Sequence, residues 1–552
     1  MKNNTPIKWI NSKFEGFRLA YAFLLFVCVI KGLTTVFLAL AIKWTINVAE
    51  GSMDGNLWFF AGLLVGVAVF EVLTQMLMRF LKSKIHFGVE VKLKNDLFRD
   101  ILGKDYTAIS AYHSGDILNR LYSDTSVVAS NATNIIPNIV LMITRLIGAV
   151  GVMAFLNPLF TGALLLAGVI VFLVASLFRR RLKFLHKRVQ EADGKARSYM
   201  QESIENRLAV KVFNAEDTVS DKSSVLTKDY FRKKVVNEFI AIVASSCFNL
   251  FFSVGYTVAL IWGAFGIFNG QMDYGTLSAV LQLVSQVQVP IMNLSGILPG
   301  YYSMLASAER LIEVQDLLDS PNLPPLENVS EFYNSLSTVH FDGVSFSYGR
   351  DAIIENATFD IKKGEFVVIK GISGIGKSTI LKLMLGVYGC TQGDIKFITQ
   401  NNTYTPAEVR GLFSYVPQGN MLFSGTVKEN ICFVNANASE EQIKSALKVS
   451  MADEFINELP DGLETIVGEN GYGLSEGQVQ RIAVARALLT DAPVLLFDEA
   501  TSALDSVTEE NMLKNVRELG NKTVILVTHK TAATVLADKI IEIVDKRVIV
   551  NE

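Results

Sequence analysis

Gly371-Ile372-Ser373-Gly374-Ile375-Gly376-Lys377-Ser378-Thr379 is the stretch on which the reading of this chain turns. It follows a short β-branched run, Phe366-Val-Val-Ile-Lys370, and precedes the helical pattern Ile380-Leu-Lys-Leu-Met-Leu385. Strand, glycine-rich loop and helix together form the context of a phosphate-binding loop. Gly371, Gly374 and Gly376 let backbone N–H groups approach a polyphosphate without Cβ clashes. Ser373 and Thr379 belong to the same cradle, and the helix N-terminus adds positive partial charge. Lys377 is placed to reach the β/γ-phosphates and the Ser378 hydroxyl to ligate magnesium. A site of this kind needs a carboxylate for the metal, and Val494-Leu-Leu-Phe-Asp498 is an apolar strand ending in one. Glu499 follows directly, where a carboxylate can orient and polarise an attacking water.

Upstream of this α/β texture the chain is of another kind. Of 552 residues, 50% are hydrophobic and only 19% charged, against roughly 25% charged in an ordinary soluble domain. Mean hydropathy is +0.33. This composition excludes a disordered chain. The net charge of -3 leaves no basic field, so no nucleic-acid partner is expected. Cys28, Cys247, Cys390 and Cys432 lie far apart and make neither a disulfide framework nor a zinc motif. Residues Phe239–Met272, Tyr274–Ala308 and Leu146–Phe178 carry no charge. A membrane helix needs about 20 apolar residues. Six spans follow, at 19–47, 57–80, 135–156, 159–178, 239–268 and 274–300, with Asn157-Pro158 as a tight turn. The N-terminal segment runs on as a full span and does not read as a cleavable signal.

The short loops Val48–Asn56, Asn157-Pro158 and Asn269–Asp273 contain no Lys or Arg. The other side carries Lys82, Lys84, Lys92, Lys94, Arg99 and Arg179-Arg180-Arg181. The positive-inside rule puts those residues and both termini in the cytoplasm. The connections on that side are too long for structureless loops and have helical periodicity. The expected fold is therefore a polytopic α-helical membrane domain of six spans with long cytoplasmic helical extensions (1–320). A linker (321–338) and an α/β P-loop ATPase domain (339–552) follow it.

With these motifs in place, nearly the whole chain resembles an ATP-binding cassette transporter of the exporter type, a half-transporter with membrane and ATPase domains fused. Leu474-Ser-Glu-Gly-Gln478 resembles the family signature, usually Leu-Ser-Gly-Gly-Gln, with Glu476 as its one departure. The resemblance implies that Ser475, Gly477 and Gln478 close over ATP held by a second subunit. It implies that Gln418 senses magnesium and water, that His529 contacts the γ-phosphate, and that Tyr348 stacks on adenine. Asp505, in Ser502-Ala-Leu-Asp505, resembles the loop linking two ATP sites. Thr465–Gly471 resembles an exporter segment in which Glu469 reports the ATP state. Ser114-Gly-Asp116 with Arg120, and Val212–Asp217, resemble the two cytoplasmic loops. Short docking helices are expected near Asp105–Tyr112 and Val212–Asp217. The catalytic set is then Glu499, His529, Gln418 and Lys377; the metal set is Ser378, Gln418 and Asp498; the cofactors are ATP and Mg2+.

What the resemblance implies for function is ATP-driven export of an amphipathic or hydrophobic drug, lipid or peptide by alternating access. Importer and ATP-gated channel or regulatory protein are the alternatives. The partners are a second half-transporter subunit, identical or different, and membrane lipids. The place is a bacterial plasma membrane, crossed several times. Lys31, Glu71 and Arg145 are charges inside spans, where charge is costly and often functional. Arg145 stands out as mid-span, with no charge nearby in sequence; internal pairing with Glu71 is the competing reading. Phe248, Phe251, Phe252, Tyr256 and Trp262 are candidates for a substrate cavity, against packing or lipid-facing roles.

Overall fold

The computed structural model describes residues 5–321, 323, 326–349, 351–419, 422–468, 471 and 473–551, with 167, 169–183, 248 and 289–296 described by their backbone alone. Two compact units divide it. One runs through Asp100 and resumes over Ser114–Asp316; the other takes Ile101–His113 and the chain from Leu317 on.

The first unit is helical: α1 (Pro6–Lys13), α2 (Arg18–Glu50) and α3 (Leu57–Gly103) precede α4 (Tyr106–Ser110), which belongs to the second unit. Then come α5 (Ser114–Asn119), a π-turn over Arg120–Asp124, α6 (Thr125–Leu156), α7 (Pro158–Glu205), α8 (Arg207–Val212), α9 (Glu216–Phe268) and α10 (Tyr274–Gln315). With 47, 48 and 53 residues, α3, α7 and α9 reach about 70–80 Å at 1.5 Å per residue. A hydrocarbon core is about 30 Å thick, so most of each helix lies beyond the span. The tight turn between α6 and α7 forms because Asn157 accepts from Phe160 N while Pro158 starts the helix.

Among the described residues, the stretches Glu15–Glu50, Leu57–Gly103, Ser114–Leu156 and Glu216–Phe268 are long and apolar enough to cross a membrane. The two further expected spans fall in α7 and α10, which run through the residues described by backbone alone. Inside the bundle, Val36 and Ala39 of α2, Ala149 and Met153 of α6, and Val280, Leu283 and Val284 of α10 share one buried cluster. Phe160 of α7 stacks on Trp262 of α9, so that aromatic packs between helices. Phe251 and Tyr256 are exposed on α9. Phe248 lies outside the residues whose side chains are described. At the other end, Arg120 bonds Asp116 (2.9 Å), Glu313 (3.0 Å) and the Arg310 carbonyl (2.6 Å). Asp124 takes Ser307 and Arg310 Nε, each at 2.8 Å. These charges tie the π-turn to the end of α10.

The second unit adds α11 (Val329–Ser335), β1 (Leu336–Tyr348), β2 (Asp351–Lys362), β3 (Phe366–Gly371), α12 (Lys377–Met384), β4 (Gln392–Thr399), β5 (Thr403–Tyr404) and β6 (Phe413–Val416). It continues through β7 (Gly425–Thr426), α13 (Val427–Ile431), α14 (Glu440–Val449), α15 (Asp453–Glu458), β8 (Ile466–Val467), α16 (Glu476–Leu488) and β9 (Val494–Asp498). It closes with α17 (Ser506–Glu518), β10 (Thr523–Val527), α18 (Ala532–Val535), β11 (Lys539–Val544) and β12 (Arg547–Asn551).

One sheet has the order β12-β11-β3-β10-β9-β6, parallel except for β12. A second, β2-β1-β4-β5, is antiparallel, and β7 and β8 form a two-stranded antiparallel third. The central strands are buried on both faces and so read as continuous apolar runs. Alternate residues still part company: Val367, Ile369, Leu496 and Ile525 enter one core, whereas Phe366, Val368, Leu495 and Leu526 enter the other. A third core, under α13 to α16, holds Val427, Ile443, Phe455 and Ile482.

The stretch 321–338 corrects the expected linker. It contains α11 and the first residues of β1, because Tyr333 and Leu336 are buried in the ATPase core and Tyr333 Oη meets Thr523 Oγ1 at 3.0 Å. Likewise the short helix expected near Asp105–Tyr112 is α4, capped by Asp105 through Thr107 N and Ala108 N. Its Tyr106 ring packs edge-on to Tyr388 at 5.9 Å. Near Val212–Asp217, α8 ends and α9 begins after a turn with Asn214 at positive φ.

Candidate nucleotide site

The loop 371–376 lies between β3 and α12, with Gly374 at φ 79° and Gly376 at φ 112°. A Cβ on Gly376 would stand 2.5 Å from Ile353 Cγ2, so the turn requires glycine twice over. Gly376 is also the N-cap of α12, aiming that helix's first amides at the loop. Lys377 is buried. Its Nζ donates to the carbonyls of Gly371 (3.1 Å) and Ile372 (3.0 Å) and meets His529 Nε2 at 2.8 Å. Burial pushes the Lys377 ammonium down; Glu499 and Asp498 push it back up.

Parallel strands β3, β10 and β9 end side by side and bring the other groups to the same edge. Ser378 Oγ donates to Asp498 Oδ1 at 2.8 Å, and Tyr415 Oη donates to Asp498 Oδ2 at 3.1 Å. Burial raises the Asp498 carboxyl, the two hydroxyl donors lower it, and adjacent Glu499 raises it. Burial and the Asp498 charge raise the Tyr415 phenol, keeping it a donor.

Glu499 leaves β9 at φ 53°, a left-handed conformation that is strained for a non-glycine residue. Its N–H still donates to Val527 O at 3.0 Å. The turn presents the carboxylate to Gln418, whose Nε2 donates to Oε2 at 2.7 Å. Glu499 Oε1 lies 3.4 Å from His529 Nε2. That nitrogen faces both the Lys377 ammonium and the Glu499 carboxylate. The Lys377 contact is the shorter of the two.

Tyr348 is 42% exposed, a half-open ring set edge-on between Phe346 and Tyr388. Its hydroxyl meets Thr379 Oγ1 at 3.5 Å. Burial, with the neighbouring Tyr348, pushes the Tyr388 phenol up to about 12. Ser373 lies in the same loop.

Ser475, Gly477 and Gln478 form a second group, at the start of α16. Ser475 and Gln478 make a reciprocal capping box. A Cβ on Gly477 would meet Ala503 O at 3.0 Å. Gln480 clamps the same loop through Ser502 Oγ (2.9 Å) and Ala503 N (3.1 Å). Asp505 caps α17 through Val507 N and Thr508 N. Among the described residues, no hydrogen bond joins Ser475 or Gln478 to the 371–379 loop. Glu476 is exposed in the first turn of α16. Glu469 lies outside the described residues.

Donor chemistry suits magnesium at Ser378 and Asp498: hard oxygens, one hydroxyl and one carboxylate, directed at each other. Among the described residues no group of three His, Cys, Asp or Glu forms a protein-only metal site. A few protein oxygens completed by phosphate oxygens is the usual magnesium arrangement. Tyr415 and Lys530 were not singled out in the sequence. Lys530 holds the carbonyls of Thr501 (2.8 Å) and Leu504 (2.6 Å) and so fixes the loop before Asp505.

Residues 18–291 match the family model of the ABC transporter transmembrane region, and residues 354–502 match the ABC transporter family model. A Rickettsia felis protein of the export ATP-binding/permease kind is 30% identical over 82% of this chain and 79% of its own length. An iron–sulfur clusters transporter of Candida albicans mitochondria, ATM1, is 35% identical over 67% of this chain; the match spans about half (52%) of that protein. The solved structure of a bacterial Atm1-family ABC exporter with ATP bound has a TM-score of 0.79 at 24% identity. It covers 96% of this chain and 94% of that one, and shows the shared fold. The chain belongs to the ABC transporters, as a helical transmembrane region fused to an ATP-binding domain. In that class ATP hydrolysis is coupled to transport across a membrane.

Proposed function

We propose that this chain is one half of a dimeric ATP-driven exporter of an amphipathic or hydrophobic compound, such as a drug, lipid or peptide. The single observation that carries the ATP-driven part is Glu499. Its strained backbone and the 2.7 Å bond from Gln418 fix a carboxylate beside Asp498 and His529. A carboxylate so placed orients and activates a water for attack. Lys377 exchanges its loop carbonyls and His529 for phosphate oxygens; Tyr348 offers its ring to adenine; Ser378 and Asp498 hold magnesium, with Gln418 at its edge. Magnesium, when bound, neutralises charge on the β- and γ-phosphates.

The family membership supports a second subunit, with Ser475, Gly477 and Gln478 at the start of α16 available to it. In the dimer they cover the partner's nucleotide, and Asp505 lies at the same junction. ATP then favours the closed dimer, and hydrolysis returns the open one. Transport comes from the differing affinities of these two states. The loops free of Lys and Arg face outward, and the ATPase faces the cytoplasm of a bacterial cell.

Proteoliposomes sorted for outward-facing ATPase domains test the reading with a panel of fluorescent amphiphiles. The expected result is ATP-dependent accumulation in the lumen, lost in Glu499→Gln. ATP-dependent efflux from the lumen would indicate an importer, and downhill flux in both directions a channel; either overturns export.

A further inference from the structure

Five side chains of the transmembrane bundle form a polar cluster: Lys31 and Thr35 on α2, Glu71 on α3, Arg145 on α6 and Gln286 on α10. Lys31 Nζ bonds Glu71 Oε1 at 2.8 Å and the Glu71 carbonyl at 3.1 Å. The Lys31 side chain is 3% exposed, so this pair is sealed on the lysine side. Thr35 Oγ1 lies 3.3 Å from Glu71 Oε1, and Arg145 reaches the same hydroxyl at 3.4 Å. Gln286 donates from Nε2 to the Thr35 carbonyl at 2.8 Å. Two cations and one anion leave one positive charge in excess. Lys31 already neutralises Glu71, so the excess rests on Arg145.

Among the described residues, two buried polar atoms of the cluster have no hydrogen-bond partner: Arg145 Nε, a donor, and Gln286 Oε1, an acceptor. Such atoms are costly to bury, more so when charged. The cost is greater still in a bilayer, where no bulk water relieves it. Arg145 lies eleven residues below the end of α6 and Glu71 fourteen below the start of α3, roughly 17 and 21 Å along each helix. That is deep in a core about 30 Å thick and below the reach of headgroups at the short-loop surface.

We infer that Arg145 and Gln286 form a site for an anionic group with a neighbouring N–H donor, as at the carboxyl end of a peptide or an N-acyl amino acid. The carboxylate pairs with the guanidinium, and the amide N–H one carbon away bonds Gln286 Oε1. This rests on the transport reading above and names its substrate class. A neutral or cationic amphiphile leaves the Arg145 charge unpaired, and one without an N–H donor leaves Gln286 Oε1 unpaired; selectivity follows from these differences.

Equilibrium binding to the full protein in phosphatidylcholine nanodiscs, without nucleotide, tests the site independently of transport. The probes are N-dodecanoylglycine, its methyl ester and N-dodecanoylsarcosine. Wild type is expected to bind the glycine acid about tenfold more tightly than either, the ratio that one charge-assisted bond produces. Arg145→Gln loses the preference for acid over ester while still binding ester, and Arg145→Lys retains it. Gln286→Leu loses the preference for glycine over sarcosine. Equal binding of the three probes by wild type overturns the inference even if no variant folds, and so does an Arg145→Gln protein that keeps the acid preference. A protein that shows these preferences but pumps nothing sinks the transport reading and leaves the site standing.

Discussion

Lys530 donates to the carbonyls of Thr501 and Leu504 and lies 3.4 Å from Glu509, whose side chain is 1% exposed. Glu509 also accepts from Thr501 Oγ1 at 2.8 Å. Removing one partner of a fully buried pair costs about 3–5 kcal/mol. Lys530 is 31% exposed, and screening brings the expected loss for Lys530→Met to about 2 kcal/mol. Thermal unfolding of the full chain should show the ATPase transition lowered, with Glu509→Gln added in the same chain restoring more than half. Unchanged unfolding would remove Lys530 from this role. Tyr415→Phe deletes one neutral donor to Asp498, worth about 1 kcal/mol, so the magnesium needed for half-maximal turnover should rise roughly fivefold. Neither residue was legible in the sequence. A lysine after a strand reads as a solvated cation, and its carbonyl partners lie 29 and 26 positions away with no side-chain signature. Tyr415 meets Asp498 across 83 positions. Lys377 and Ser378 were legible because their loop is contiguous.

The strand–loop–helix of β3, the 371–376 turn and α12 is the element where local sequence and tertiary packing agree most closely. Gly376→Ala forces a Cβ into left-handed backbone, at about 1–2 kcal/mol, and against Ile353 at 2.5 Å. ATP affinity should fall at least about tenfold, with lower thermal stability; a variant that binds ATP normally would show that the loop has another geometry when occupied. The strand β9 was readable from its apolar run, since parallel strands between two cores leave no polar face. Its alternation between the cores was not, because both destinations are apolar. The segment 321–338 misled because its prolines read as a linker, while α11 docks through buried Tyr333, with Val329 and Phe332 packed against the same core. Long helices such as α9 were legible as spans where charge is absent, and as extensions only through periodicity.

At the scale of the molecule, two unlike compositions average to 50% hydrophobic and 19% charged: a bundle of long helices and an α/β ATPase. The Lys31–Glu71 pair shows what sequence leaves open here. Three charges inside spans were visible, but which two would pair depends on helix packing, and Arg145 is the one left over. The chain purified alone should run at twice its 60.8 kDa mass when Glu499→Gln traps ATP; a monomer under those conditions would point to a different partner subunit. Steady-state ATP hydrolysis by the purified full chain, beside Glu499→Gln, tests the central claim most directly. A positioned general base contributes about 10²–10⁴-fold. Magnesium-dependent turnover should fall at least 100-fold in the variant while ATP binding stays within a few-fold. Equal turnover by the two proteins would contradict it.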